Sequence, residues 1–314
     1  MIGVVGAGAF GTALAVALGR DGRAVTLWAR DTCQAASMAA TRENAARLPG
    51  VTLPKSVTIS AQIEDLIGAK AILLCLPMQA FGSFLAKHPL HARALVACCK
   101  GVDLATLTGP ATLIRAVCPK ARASILTGPS FAADIAQGLP TALTLAGGDE
   151  ALQHLLSTPN LRLYLTDDVI GAELGGALKN VIAIAAGVVI GAGLGFSARA
   201  ALMTRGYAEM SRLALSLGAR AETLAGLSGF GDLVLTCTSG QSRNFRFGQA
   251  LGAGQPFDAG VTVEGAATAR AAAALAANAG IDMPITSMIA ALVDQQITLP
   301  QAIHSLLSRP LKQE

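Results

Sequence analysis

The feature that most constrains the fold is a glycine-rich turn near the start of the chain. Residues 6–11 read GAGAFG, directly after an apolar strand-like run and directly before a helical pattern. In this spacing Gly6 permits a tight turn, Gly8 lets the backbone approach a pyrophosphate, and Gly11 allows close packing of helix on strand. The N–H groups at the start of the helix would face the same anion. The sequence therefore predicts a dinucleotide-binding βαβ unit.

The rest of the first half alternates short apolar runs with helix-compatible stretches. Strands are predicted at 2–5, 24–28, 69–76, 94–99, 123–126, 141–146 and 161–165, and helices at 12–18 and 79–87. This alternation favours a mostly parallel sheet covered on both faces. Further helices are predicted at 168–190, 198–218, 243–252, 262–279, 284–293 and 299–308. We therefore expect an α/β protein with a Rossmann-like dinucleotide-binding domain, 1–166, followed by an all-α substrate-binding and catalytic domain, 167–314.

The composition supplies a large core and argues against several classes of function. Hydrophobic residues make up 52% of the 314 and charged residues 14%. The net charge of +4 comes without a basic cluster or an aromatic stripe, so we expect no nucleic-acid partner. The six cysteines form no C-x-x-C pair and the four histidines no cluster, which indicates reduced thiols and no metal site. The chain starts at once with a strand, which favours a cytoplasmic protein without a signal peptide.

One charge-free segment, residues 180–198, is close to the length that spans a bilayer. It is rich in Gly and Ala, lacks an aromatic belt and stands alone. We therefore expect a buried core helix, interrupted near 191–195, and not an integral membrane protein. The apolar character of this helical half also suggests a homodimer.

Lys179 is the single charged side chain between Glu173 and Arg199. Burial of an ammonium group lowers its pKa, and a lysine with a lowered pKa suits general acid/base catalysis. The alternative is that the Lys179 stem carries the charge outward to water. Asp232, which follows a glycine turn, offers a carboxylate partner or else merely caps a helix. Thr236 is predicted on the same helical face as Asp232.

Other polar residues follow predicted strands, at the sheet edge where α/β proteins bind ligands. After the second strand, Arg30 could meet a 2′-phosphate and Asp31 a free 2′-hydroxyl, or both could be a solvated charge pair. Both NAD and NADP are therefore possible cofactors, and we expect NADPH at least to be tolerated. Lys100 follows the run ALVACC and is either a phosphate or carbonyl ligand or a surface lysine. In TGPSFA, residues 127–132, Ser130 is either exposed to a ligand or a helix cap.

The segment SRN, residues 242–244, places an arginine between two hydrogen-bonding residues near a predicted helix start. Such a grouping is well suited to hold an oxyanion or a phosphate.

Together these motifs resemble those of the bacterial NAD(P)-dependent glycerol-3-phosphate dehydrogenases. The similar stretches cover nearly the whole chain in order: GAGAFGTALA, NAARLPGVTLP, CCKG, TGPSFA, GALKNVIAIAAG, AGLSGFGDLVLTCTS, SRNFRFG, VEG and MPI. The resemblance implies a reversible, NAD(P)H-dependent reduction of dihydroxyacetone phosphate to sn-glycerol 3-phosphate, which supplies glycerophospholipid synthesis.

Carried over position by position, the resemblance makes Lys179 the catalytic acid/base and Asp232 its partner. Lys100 would stabilise oxyanion charge. The implied substrate-binding positions are Lys100, Gly128, Ser130, Lys179, Asp232, Ser242, Arg243 and Asn244. The implied cofactor-binding positions are Gly6, Gly8, Ala9, Phe10, Gly11, Arg30, Lys100, Ala132, Arg243, Thr262 and Glu264.

The chain departs from the family pattern at three positions. Phe10 stands where Trp or Tyr is frequent, and Thr262 where Val is frequent. Met78 follows Pro77 where a small hydroxyl residue is common, so a polar cofactor contact there would fall to Gln79.

Two other functions fit the same residues. One is a related two-domain dehydrogenase of 2-oxo or 3-hydroxy acids, against which the SRN segment favours a phosphorylated substrate. The other is a non-catalytic NAD(P)-sensing module. Lys179 with Asp232 argues against a sensor, because a sensor needs no buried proton donor.

Overall fold

The computed structural model describes residues 1–88 and 90–307. Its strands are β1 (Ile2–Val5), β2 (Val25–Trp28), β3 (Glu43–Asn44), β4 (Leu48–Thr52), β5 (Val57–Ser60), β6 (Ala71–Leu74), β7 (Ala94–Ala97), β8 (Arg122–Thr127), β9 (Thr141–Ala146) and β10 (Leu161–Thr166). The helices of the first half are α1 (Ala9–Arg20), α2 (Thr32–Thr41), α3 (Met78–Lys87), α4 (Pro110–Val117), α5 (Ala132–Gln137) and α6 (Glu150–Leu156). Those of the second half are α7 (Val169–Gly191), α8 (Gly195–Ser216), α9 (Ala221–Ala225), α10 (Asp232–Thr238), α11 (Arg243–Gly252), α12 (Glu264–Ala279), α13 (Pro284–Val293) and α14 (Leu299–Leu307).

Eight strands form one sheet in the order β10-β9-β8-β7-β6-β1-β2-β5. Within the described sheet, β8 and β9 pair antiparallel and the other neighbours pair parallel. The central strands are buried on both faces, which explains their unbroken apolar runs. Helices α1, α2, α5 and α6 contribute to the core on one face, and α3 and α4 to the core on the other. The predicted mostly parallel, doubly covered sheet is confirmed.

The second half is built around α7, against which α8, α10, α11 and α12 pack. The backbones of α11 and α7 are in direct contact, because glycines lie on the facing surfaces of both helices. A Cβ atom at Gly187 would lie 2.1 Å from the Phe245 carbonyl oxygen, and one at Gly248 would lie 2.0 Å from the Ile184 carbonyl oxygen. The abundance of glycine and alanine thus serves close helix packing.

Among the described residues, α7 is the one helix long and apolar enough to cross a membrane, and 89% of its apolar window is buried inside the protein. The helix ends at Gly191 and α8 begins at Gly195, at the predicted interruption. Its apolar character is that of an internal core helix.

The structure also contains elements that the sequence pattern did not predict. These are α2, the β3–β4 hairpin, β5, α4, α5, α6, α9 and a π-helical turn at Leu227–Gly231. Most are short and carry too few apolar positions to show a clear period. The predicted end of the last helix, residue 308, and the end of the predicted second domain, at 314, lie outside the described residues.

Candidate active site

The glycine turn has the geometry of a dinucleotide loop. Gly6 has a φ of +102°, and a Cβ atom there would lie 2.5 Å from the Cys75 carbonyl oxygen. A Cβ atom at Gly11 would lie 2.1 Å from the Gly6 carbonyl oxygen, so α1 packs tightly on β1. At Gly8, by contrast, a Cβ atom would meet open space, and the residue is exposed. Ala9 and Phe10 follow, half-buried, in the first turn of α1. This cradle fits a pyrophosphate against free backbone.

The end of β2 carries two side chains of opposite charge. Arg30 is exposed beside the glycine turn. Asp31 is the N-cap of α2, and its Oδ1 accepts a hydrogen bond from the Gln34 N–H at 3.0 Å. Asp31 therefore stabilises a local helix, a role that was not predicted from the sequence.

Two lysines share one carboxylate where the two halves of the chain meet. Lys179 Nζ lies 2.8 Å from Asp232 Oδ1, and Lys100 Nζ lies 2.5 Å from Asp232 Oδ2. Lys179 also donates to Thr236 Oγ1 at 2.5 Å, and Lys100 to the Gly128 carbonyl at 3.2 Å. The side chains of Lys179 and Asp232 are 7% and 1% exposed, so Lys179 does not extend to water. Asp232 contacts the ammonium groups and forms no cap.

Three different elements position the two lysines and the carboxylate that they share. Lys179 lies within the buried α7, and Lys100 follows β7 at the carboxyl edge of the sheet. Asp232 enters through the π-helical turn, which widens the helical path just before α10. The turn packs closely on α7, because a Cβ atom at Gly175 would lie 2.7 Å from the Ser228 carbonyl oxygen.

The pKa of Lys179 is lowered from its usual value to about 8. Burial is the main cause, and the positive charge of Lys100 acts in the same direction. The carboxylate of Asp232 opposes both by favouring the charged ammonium. A lysine with this pKa is mostly protonated at neutral pH and can still release its proton.

The SRN segment begins α11 close to this lysine pair. Ser242 Oγ caps the helix by accepting from the Phe245 N–H at 3.2 Å, while the Arg243 side chain is exposed. Asn244 is buried: its Nδ2 donates to Asn180 Oδ1 at 2.9 Å, and its Oδ1 accepts from the Gly265 N–H at 2.9 Å. The segment thus presents the exposed Arg243 guanidinium at a capped helix start.

The remaining predicted positions surround these groups. Ser130 Oγ donates to the Gly128 carbonyl at 3.3 Å and does not cap α5, whose N-cap is Phe131. Ala132 begins α5, half-buried, and Thr262 is exposed. Burial raises the pKa of Glu264, and the positive charges of Arg243, Lys100 and Lys179 oppose that rise.

Gln79 is occupied elsewhere. Its Nε2 donates to the Val102 carbonyl at 2.9 Å, and its Oε1 accepts from the Leu104 N–H at 3.1 Å. The side chain therefore braces the loop after Lys100 and makes no free polar contact of the kind expected after Pro77.

Two family models together match most of the chain. The NAD-dependent glycerol-3-phosphate dehydrogenase N-terminus matches residues 1–153, and the C-terminus of the same family matches residues 168–304. The chain belongs to the NAD-dependent glycerol-3-phosphate dehydrogenase family.

Individual family members are similar over their full lengths. Proteins named glycerol-3-phosphate dehydrogenase [NAD(P)+] from Cereibacter sphaeroides and Paracoccus denitrificans are 67% and 60% identical, with 100% of this chain and 100% and 99% of theirs covered. The crystal structure of glycerol-3-phosphate dehydrogenase from Coxiella burnetii superposes with a TM-score of 0.93 at 36% identity, over 98% of each chain. The fold prediction is therefore confirmed for both halves.

Two polar residues with buried hydrogen bonds or raised pKa values, Asn44 and Glu173, were not predicted from the sequence, and Asn44 contacts the glycine turn. Asn44 bonds to the glycine turn, and Glu173 accepts a hydrogen bond from the Ala111 N–H at 2.7 Å at the start of α4. Burial raises the pKa of Glu173 to about 7. Asn44 begins the stretch NAARLPGVTLP, which is part of the family resemblance, but the sequence alone did not indicate what its side chain contacts.

Proposed function

We propose that this protein reduces dihydroxyacetone phosphate to sn-glycerol 3-phosphate with NADH or NADPH, reversibly. The observation that carries the proposal is the buried Lys179 ammonium, held by Asp232 and Thr236 beside Lys100. The names of the full-length relatives support the substrate and the cofactor pair. The product supplies glycerophospholipid synthesis.

The glycine turn is the proposed anchor of the cofactor. Its open backbone at Gly8 would hold the pyrophosphate, with Ala9, Phe10 and the helix N-terminus around it. Arg30 would lie near the adenosine ribose. The remaining proposed contacts are Gly6, Gly11, Lys100, Ala132, Arg243, Thr262 and Glu264. When bound, the nicotinamide group supplies the hydride.

The lysine pair performs the proposed proton chemistry. Lys179 donates a proton to the ketone oxygen, since its pKa of about 8 leaves it mostly charged at pH 7. Asp232 keeps that charge stable against desolvation and orients the ammonium through the 2.8 Å contact. Lys100 lies on the other oxygen of the same carboxylate and stabilises negative charge that develops on the substrate.

The start of α11 is the proposed phosphate site. Arg243 offers an exposed guanidinium, and the helix N-terminus adds a favourable dipole for an anion. Ser242 and Asn244 fix this helix start, and Gly128 and Ser130 line the opposite sheet edge. Binding energy from the phosphate would then orient the ketone toward Lys179.

The test is a Lys179→Ala variant assayed with dihydroxyacetone phosphate and either NADH or NADPH. We expect turnover to fall by about a hundredfold to ten-thousandfold while NAD(P)H still binds, because a positioned acid contributes about 10²–10⁴-fold. Lys87→Ala, at an exposed position of α3, is the matched control. Near-normal turnover by Lys179→Ala would contradict the mechanism. Activity on 2-oxo acids instead, or binding without any turnover by the unaltered protein, would favour one of the two alternative functions.

We further propose that residues 1–166 and 167–314 are separate domains, and that the protein is a cytoplasmic homodimer. All six cysteines lie in the described residues and none is paired, as suits a reducing compartment. Two large side chains of the helical half, Phe196 and Phe230, are 72% and 50% exposed and could serve a subunit interface. Sedimentation equilibrium would show a mass of one chain if the dimer is wrong.

A further inference from the structure

The β3–β4 hairpin contacts the glycine turn through one buried amide, that of Asn44. Its Nδ2 donates to the Ala7 carbonyl at 3.0 Å and to Thr12 Oγ1 at 2.8 Å. Its Oδ1 accepts from Gln34 Nε2 at 3.3 Å, and Gln34 Nε2 also reaches the Ala7 carbonyl at 3.2 Å. The Asn44 side chain thus joins the turn, the first turn of α1 and α2.

The hairpin that carries Asn44 is itself firmly held. Arg42, at the end of α2, donates to the carbonyls of Leu53, Pro54 and Val57. The Glu43 carboxylate accepts from the Gly50 N–H at 2.7 Å. Asn44 is therefore presented to the glycine turn from a braced element.

The bond to Ala7 fixes the direction of the next N–H group. In a trans peptide the carbonyl and the N–H point in opposite directions, and the described chain has no cis peptide bonds. With the Ala7 carbonyl held inward by Asn44 and Gln34, the Gly8 N–H points outward, to the side on which Gly8 is exposed. Among the described residues, nothing accepts a hydrogen bond from this N–H.

We propose that Asn44 is a positioning residue for the cofactor: it locks the Ala7–Gly8 peptide so that the Gly8 N–H is aimed at the pyrophosphate. The inference rests on the proposed dinucleotide site and adds a buried residue that would act through the Ala7–Gly8 peptide. Without the amide donors, the peptide is free to rotate, and its ordering would then oppose binding.

The test compares Asn44→Asp and Asn44→Ala with the unaltered protein by titration calorimetry against NADH, ADP-ribose and adenosine. Asp keeps the size of Asn but cannot donate to the Ala7 carbonyl. We expect both variants to bind NADH and ADP-ribose about tenfold more weakly, the effect of about 1.4 kcal/mol, while adenosine, which has no phosphate, binds as before. In steady-state assays KM for NADH rises and kcat changes little.

Thr52→Ala, at an exposed position of β4, is the matched hairpin control and should bind all three compounds normally. If the Asn44 variants do not fold, Gln34→Ala removes the second donor to Ala7 and should give a smaller loss of the same kind. Normal ADP-ribose affinity in the variants, or equal loss for adenosine, would overturn the inference while leaving the proposed function intact. Failure of the unaltered protein to bind NADH would instead refute the proposed function.

Discussion

Replacing Asp232 with Asn tests whether the shared carboxylate sets the protonation of Lys179. The substitution keeps the shape of the side chain and removes the negative charge that lies 2.8 Å from Lys179 Nζ. In the proposed reaction, reduction needs the protonated lysine, so we expect the activity of the unaltered protein to be present below pH 8 and to be lost as the pH rises through about 8. Without the carboxylate, burial and Lys100 would still lower the pKa of Lys179, and the main opposing charge would be gone.

The size of the effect follows from the geometry. Two unit charges at this separation attract by about 6 kcal/mol at an effective dielectric constant of about 20, and by about half of that at twice the dielectric constant. About 1.4 kcal/mol corresponds to one pH unit. The pH at which the activity falls should therefore decrease by about two to four pH units. At pH 7 the protonated fraction then falls from about nine-tenths to between about one in ten and one in a thousand.

The assay is kcat/KM for dihydroxyacetone phosphate reduction between pH 5 and pH 10 at saturating NADH. The kcat/KM of Asp232→Asn should begin to fall at a lower pH than that of the unaltered protein. The difference in kcat/KM between the two proteins should become smaller toward pH 5. Asp294→Asn, in the exposed ion pair with Arg270, is the control and should leave the pH at which activity falls unchanged. Thr236→Val keeps the carboxylate and should shift the pH at which activity falls by less than about one pH unit. An unchanged pH dependence in a folded Asp232→Asn protein would show that Asp232 does not set the protonation of Lys179.

Three further substitutions test other parts of the structure. Arg243→Gln should raise KM for dihydroxyacetone phosphate at least about tenfold, since a charged hydrogen bond contributes about 1.5–3 kcal/mol; a normal KM would contradict the phosphate site. Gly11→Ala, whose Cβ would lie 2.1 Å from the Gly6 carbonyl oxygen, should abolish NADH binding in calorimetry; retained affinity would refute the loop geometry. Gly187→Ala forces α7 away from α11 and should lower the free energy of unfolding by about 1–3 kcal/mol or more in urea titrations; unchanged stability would show that the helices can separate freely.

The fold was predictable where one physical signal dominates. Strands such as β1 and β6 are buried on both faces, so they appear in the sequence as unbroken apolar runs. The helix α7 is recognisable because it is apolar on every side. By contrast, α2 and the β3–β4 hairpin have mostly exposed side chains, and their positions depend on contacts such as those of Arg42.

The candidate site was predictable as a set of residues but not as an arrangement. Lys179 stood out because it is alone in an apolar run, and Lys100 because it follows a strand at the ligand-binding edge. That both ammonium groups contact one carboxylate is a property of the packing of α7, α10 and β7. Asp31, which the sequence leaves open as a ribose ligand, caps α2 in the structure.

The glycine turn, the apolar strands and the long helices can be predicted from the sequence alone, because they depend on interactions between residues near each other in the chain. The partners of the buried polar groups, by contrast, depend on the tertiary structure. Asp232 lies 132 residues after Lys100 along the chain, and Asn44 lies 37 residues after Ala7. A buried polar atom must find a hydrogen-bond partner wherever folding places one, and local sequence does not encode which residue that is.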